Sequence, residues 1–279
     1  MASAIASRTR DRIPESSGFL ENRRGRRLFH VMTGKAGMRE GWIFCNPFLE
    51  EKVFTQPVYR HFARTLAARG EWVLRFDYEG DGDSEGELDG LDLAAWIDDV
   101  EDMAEIARNR LGIRMLRLFG LRLGGAIAVS AAARVGARSV HTWHPVVKGG
   151  AYFLECLRYN LTTQLATHRR IVQDRGHLLA QLEAGQPVNI LGYQVGPALA
   201  ASVRGFDLVE AAQVAGCRVD VIGFARASEA GGVWRQLEQL PNVAFRALAV
   251  PQFWHEPRFH DAAQPGLIEA SLEMFCDIQ

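Results

Sequence analysis

The sequence predicts an α/β fold, with a mostly parallel central sheet, flanking helices and a helical insertion in the second half. Three observations carry this prediction. From Trp42 onward, short apolar runs alternate with helical stretches, as βαβ units do. One run, Met115 to Leu121, ends in the turn Gly120-Leu121-Arg122-Leu123-Gly124 and feeds a small-residue helix. A length of 279 residues, 48% of them hydrophobic, is enough for one large core with an insertion.

The elements follow in order. Residues 1–16, MASAIASRTRDRIPES, are polar and aperiodic and read as a mobile tail. Between Gly18 and Thr33, apolar runs flank Glu21-Asn22-Arg23-Arg24-Gly25-Arg26-Arg27, an antiparallel hairpin whose arginines read as solvated turn residues. The alternation then gives a strand from Trp42 to Pro47, a helix near Val58 to Arg69, a strand from Trp72 to Tyr78 and a helix from Leu93 to Leu111. Met115 to Leu121 is the next strand, Gly124 to Val135 a helix able to pack closely, and Ser139 to Val146 the following strand. Residues 149–205 break the pattern with helices bearing arginine, histidine and glutamine, and read as a cap inserted between the sixth and seventh main strands. Alternation resumes with a strand at Arg218 to Phe224, a helix near Gly232 to Leu240, a strand at Ala244 to Val250 and a helix from Leu267 to Phe275. Residues 17–148 and 206–279 thus form the core around the insertion.

Composition excludes several function classes. A net charge of −1 gives no basic field to draw in nucleic acid or an anionic membrane. Cys45, Cys156, Cys217 and Cys276 lack CxxC spacing, which suggests reduced thiols in a cytoplasmic setting rather than a disulfide framework or a zinc site. No apolar stretch approaches the roughly 18 residues needed to span a bilayer. The glycine turn lacks the GxGxxG spacing of a dinucleotide site. Neither cofactor nor metal is expected.

The turn is the most informative segment. In G-x-S-x-G the glycines allow a tight, strained strand-to-helix turn that lifts the central side chain above the sheet. Here that side chain is Arg122, permanently protonated and unable to attack a carbonyl. Together with Cys45-Asn46-Pro47-Phe48, Glu50-Glu51-Lys52, Arg75-Phe76-Asp77-Tyr78, Gly82-Asp83-Ser84-Glu85-Gly86, His144-Pro145-Val146-Val147 and Ile190-Leu191-Gly192-Tyr193, the turn resembles α/β-hydrolases of the serine-aminopeptidase-like type, and more narrowly the hydrolases associated with exosortase systems. The resemblance covers most of the chain after the tail and implies a bacterial setting near polysaccharide export.

The resemblance implies a set of site residues. Its oxyanion hole maps to the amide of Leu123 and to the loop of Pro47, Phe48 and Leu49, where proline cannot donate. The orienting acid falls in the loop after Arg218 to Phe224, which offers Glu229 but no aspartate, and a solvated loop glutamate is the competing reading. The histidine maps to His255, with His260 and Asp261 a little later; a hydrogen-bonded packing histidine competes. Cys45 is a replacement nucleophile or simply a small buried residue, and Ser84 is expected to satisfy backbone groups. Arg122 either anchors an anionic ligand beside the helix amides or pairs with Asp81, Asp83 or a carboxylate of the insertion. His168, Arg169, Arg170, His177, Tyr159 and Tyr193 of the insertion face the pocket or solvent.

Three readings stay open. The first is an enzyme with a degenerate triad, using His255 as acid or base on an anionic small molecule held by Arg122, with lyase, cyclisation or proton-transfer chemistry. The second is a pseudoenzyme that binds a small molecule or a protein. The third is an ester or acyl hydrolase using Cys45 or water activated by His255.

Overall fold

The computed structural model describes residues 13–35, 37–224, 232–255 and 263–276. The chain opens with β1 (Glu15–Glu21) and β2 (Arg27–Thr33), an antiparallel hairpin running from Glu15 opposite Thr33 to Glu21 opposite Arg27. It continues through β3 (Glu40–Cys45), α1 (Glu50–Ala68), β4 (Trp72–Phe76), α2 (Leu93–Leu111), β5 (Met115–Leu121), α3 (Leu123–Val135) and β6 (Ser139–Trp143). Next come α4 (Gly149–His168), α5 (Arg175–Glu183), the small hairpin β7 (Val188–Ile190) and β8 (Tyr193–Val195), and α6 (Pro197–Gly205). The chain closes with α7 (Leu208–Gln213), β9 (Arg218–Phe224), α8 (Gly232–Glu238), β10 (Val243–Leu248) and α9 (Pro265–Cys276).

Among the described residues, eight strands form one sheet in the order β1-β2-β4-β3-β5-β6-β9-β10. The pairings β1–β2 and β2–β4 are antiparallel, and every pairing from β4 to β10 is parallel. Interior strands are buried on both faces: β6 is buried at all five positions although Ser139, His141 and Thr142 are polar, and β5 is buried from Leu118 to Leu121. One face packs aromatics: Phe119 lies 4.5 Å from Phe44 and Trp143 stacks on Phe62 at 4.9 Å. The other face carries α2 and α3, whose small side chains allow close approach to the sheet. Among the described residues, no helix is long and apolar enough to cross a membrane.

Three sequence expectations are corrected. The expected tail 1–16 overlaps β1, which begins at Glu15. Helix α1 begins at Glu50 rather than near Val58, because Pro57 lies inside it and masks its first turns. Proline deprives the Val53 carbonyl of its helical donor, but Val53 is 58% exposed, where water can serve that oxygen.

The hairpin arginines are also not merely solvated. Arg24 pairs with Glu79 at 2.6 Å and Asp99 at 2.7 Å, and Arg23 with Asp102 at 2.7 Å, docking the turn on α2. Buried Asn22 donates to Glu79 and Asp99 and accepts from the amides of Arg24 and Arg26. Asn22→Ala leaves these groups short of partners and is expected to cost about 2 kcal/mol in urea denaturation. A change below half a kcal/mol would show that the hairpin docks without it.

Candidate active site

The turn after β5 is built for close approach. A Cβ at Gly120 would sit 2.3 Å from the Gly124 carbonyl, and one at Gly124 would sit 2.3 Å from the Cys45 carbonyl oxygen. Only glycine fits either position, so α3 packs directly onto the end of β3. Beneath the turn, the Tyr59 hydroxyl accepts from the Leu121 amide at 2.8 Å and donates to the Cys45 carbonyl at 3.1 Å, tying the ends of β5 and β3 together. Arg122 sits at the apex with φ 54° and ψ −123°, a left-handed φ that a non-glycine residue adopts only when its surroundings hold it there. Leu49, between β3 and α1, has the related values 55° and −141°. Leu123 opens α3, so its amide is among those with no partner inside the helix.

Arg122 is 6% exposed, and its guanidinium is enclosed. Nε donates to Glu51 at 3.0 Å and Nη2 to Glu155 of α4 at 2.9 Å. The Tyr152 and Trp254 rings each lie 5.0 Å from its central carbon, a double cation–π contact. Tyr152 also donates its hydroxyl to the other oxygen of Glu51 at 2.9 Å. On α4, Tyr152, Glu155, Cys156 and Tyr159 recur at helical spacing and form one face against the turn.

The electrostatics follow from this packing. Burial pushes the Glu51 carboxyl up, against the opposing pull of Arg122 and Tyr152. Burial acts on Glu155 in the same sense, but a hydrogen bond from His255 and the charge of Arg122 outweigh it and hold Glu155 at about 2. Two carboxylates already hold this guanidinium, and among the described residues lining the cavity there is no other arginine or lysine.

His255 lines the cavity. Its Nε2 lies 2.9 Å from the Trp254 indole nitrogen and 3.4 Å from Glu155 Oε1, and its ring stacks on Tyr159 at 4.5 Å. A deprotonated Nε2 accepts from the indole N–H, whereas a protonated one donates to Glu155, so the ring has a partner in either state. Neighbouring His144, at φ 41°, accepts the Phe224 amide on Nδ1 at 2.9 Å. Burial, then the charge of Arg122, drives its pKa down to about 3.

The remaining candidates divide. Phe48 and Leu49 line the cavity, and Phe48 packs edge-on against Trp96 at 5.6 Å. Cys45 lies fully buried under the turn, where burial pushes its thiol up to about 12, far from a reactive thiolate. The thiol at the cavity wall is Cys156, also pushed up by burial. Ser84 donates to the Asp77 carbonyl at 2.6 Å and accepts from the Phe29 amide. Asp81, considered as a partner of Arg122, instead pairs with buried Lys52 at 2.9 Å, which also holds Asp77 at 2.8 Å. Tyr193 on β8 is half-buried outside the cavity wall, where neighbouring Leu191 takes part. Glu229, His260 and Asp261 lie outside the described residues.

The cavity is narrow, about 40 Å³. That is space for about three or four waters at roughly 10–15 Å³ each. Pattern reading missed Glu51, Tyr152 and Trp254 as site residues, whereas Glu155 is the carboxylate of the insertion that it weighed, without a residue number, as a partner of Arg122. Glu51 and Trp254 stand beside motif residues, but nothing in the sequence alone aims them at Arg122.

Several comparisons bear on the class of protein. The family model for serine aminopeptidase, S33, matches residues 55–167, under half of the chain, which includes the Arg122 turn and most of α4 but not β9 or β10. No curated protein matches the chain significantly by sequence. Among solved structures, the ferulic-acid-bound Est1E from Butyrivibrio proteoclasticus superposes at TM-score 0.65 with 15% identity, covering 93% of this chain and 98% of that one. A carboxylesterase structure from the ammonia-oxidizing thaumarchaeon Nitrososphaera gives 0.64 with 16% identity, covering 94% and 98%. DcsB in complex with its substrate analogue gives 0.62 with 12% identity, covering 95% and 99%. At these identities the likeness establishes the architecture, and the chain has the α/β-hydrolase fold.

Proposed function

We propose that this chain is a non-hydrolytic α/β-hydrolase-fold protein, a pseudoenzyme in which Arg122 takes the place of the nucleophile and locks the pocket from inside. One observation carries the reading: the side chain at the apex of the turn is a buried guanidinium held by Glu51 and Glu155 between two aromatic rings. A group so engaged neither attacks a carbonyl nor is free to hold an anion, so the anion-anchor reading of Arg122 loses its support. The segment 149–205 acts as a cap, contributing Glu155 and Tyr159 to the lock. The occupant that suits the aromatic and aliphatic wall is a small molecule with an apolar group, admitted when the cap shifts and the Glu155–Arg122 pair opens. Work in the cytoplasm accords with the scattered thiols.

The position of His255 at the cavity wall, with Glu155 and Trp254 as alternate partners, favours one second reading, acid–base chemistry on a bound molecule without a covalent intermediate. Intact-mass analysis after treatment with a fluorophosphonate and a mild thiol alkylator tests whether any covalent route exists. The expected result is no label on Ser84, Cys45 or Cys156. Stoichiometric label on Ser84, Cys45 or Cys156 would sink the non-hydrolytic reading.

A further inference from the structure

We propose that the groove between the β1–β2 hairpin and α1 binds a small polyanion, a molecule with two adjacent anionic groups of the diphosphate kind. The groove has a volume of about 420 Å³ and is lined by Arg60, Arg64 and Arg75, with Phe29 and Val31 beside them. That size falls in the range of roughly 300–1,000 Å³ typical of small-molecule sites. It shares no lining residue with the Arg122 cavity. Along α1, Arg64 stands about 20 Å from Glu51 at 1.5 Å per residue.

Three features point to a ligand. The groove gathers three guanidiniums, and Glu15 is the one carboxylate among its described lining residues, on a chain whose overall charge is −1. Arg75 is 11% exposed at its side chain, and its Nε is buried with no hydrogen-bond partner among the described residues, while its Nη2 reaches Glu15 at 3.2 Å. A buried guanidinium with an unused donor beside two like charges is costly without an acceptor. Burial, and with it the charges of Arg60 and Arg64, pushes Arg75 below its ordinary value despite Glu15. Two adjacent anionic groups would engage all three forks, whereas Glu15 satisfies them only in part. A flat apolar portion of the ligand would rest on Phe29 and Val31.

Isothermal titration of the full chain with inorganic pyrophosphate and orthophosphate tests this, using Arg60→Gln/Arg64→Gln, Glu15→Gln and Arg170→Gln. Arg170 is an exposed arginine outside the groove, so its variant controls for lost charge. Saturable pyrophosphate binding, stronger than orthophosphate binding, is expected in the native chain. The double variant should weaken it at least tenfold, Glu15→Gln should strengthen it severalfold, and Arg170→Gln should leave it unchanged. Absence of saturable binding, an unchanged affinity in the double variant, or an equal loss in Arg170→Gln would overturn the proposal. None of these outcomes depends on what the Arg122 pocket does.

Discussion

Arg122→Met is expected to lower stability by about 3–5 kcal/mol, the cost of removing one member of a buried ion-pair cluster. At roughly 2–4 °C per kcal/mol for a chain of this size, Tm should fall by about 6–20 °C. The reason is local. Without the guanidinium, Glu51 and Glu155 converge on an emptied site with their negative charges uncompensated, and Tyr152 and Trp254 lose the group between them. Adding Glu51→Gln and Glu155→Gln to Arg122→Met removes the stranded charges and is expected to restore most of the loss, because neutral groups of similar volume escape the desolvation cost. Calorimetry of the single and triple variants checks both statements. A Tm within a degree of the native value for Arg122→Met would mean that the arginine is not structural and is available to a ligand.

Acid lability centred on His144 is the second large effect. Its pKa falls from 6.5 to about 3 on folding, because the ring is buried and faces Arg122. A depressed folded value means that the full stability is present above pH 6.5 and is lost progressively as pH falls toward 3. At about 1.4 kcal/mol per unit, the span amounts to at most about 4–5 kcal/mol. Charging the ring would also take Nδ1 away from the Phe224 amide at the end of β9. In His144→Gln, a side-chain carbonyl can still accept that amide, so the variant should lose several kcal/mol less than the native chain between pH 6.5 and 3. Urea midpoints across that range measure the difference, and parallel curves would locate the acid sensitivity elsewhere.

Much of the framework was legible in the chain itself. The boundaries of α2, β5 and β9 follow from apolar periodicity, and Asp92 capping the Ala95 amide and Gly112 in a left-handed conformation mark both ends of α2. The turn was legible because Gly120 and Gly124 are demanded by contacts below any tolerable Cβ distance. Two things were less visible. Pro57 hid the first turns of α1, and with them the placement of Glu51 opposite Arg122. The fate of Arg122 depended on Glu155 and Trp254, which come from the insertion and from the loop after β10. Such pairings across distant segments are fixed by tertiary packing, and spacing along the chain carries no trace of them. The same holds for Arg23 and Arg24, solvated by pattern but docked on Asp99 and Asp102 of α2 and on Glu79 of the loop after β4.

With Arg122 closing the pocket, the protein is expected not to cleave esters. Steady-state hydrolysis of short-chain and aromatic ester panels by the purified native chain tests this most directly, with His255→Ala run in parallel. Turnover indistinguishable from the buffer rate is expected for both proteins. Turnover by the native chain that His255→Ala abolishes would contradict that expectation, and would assign the cavity to a hydrolase that uses activated water.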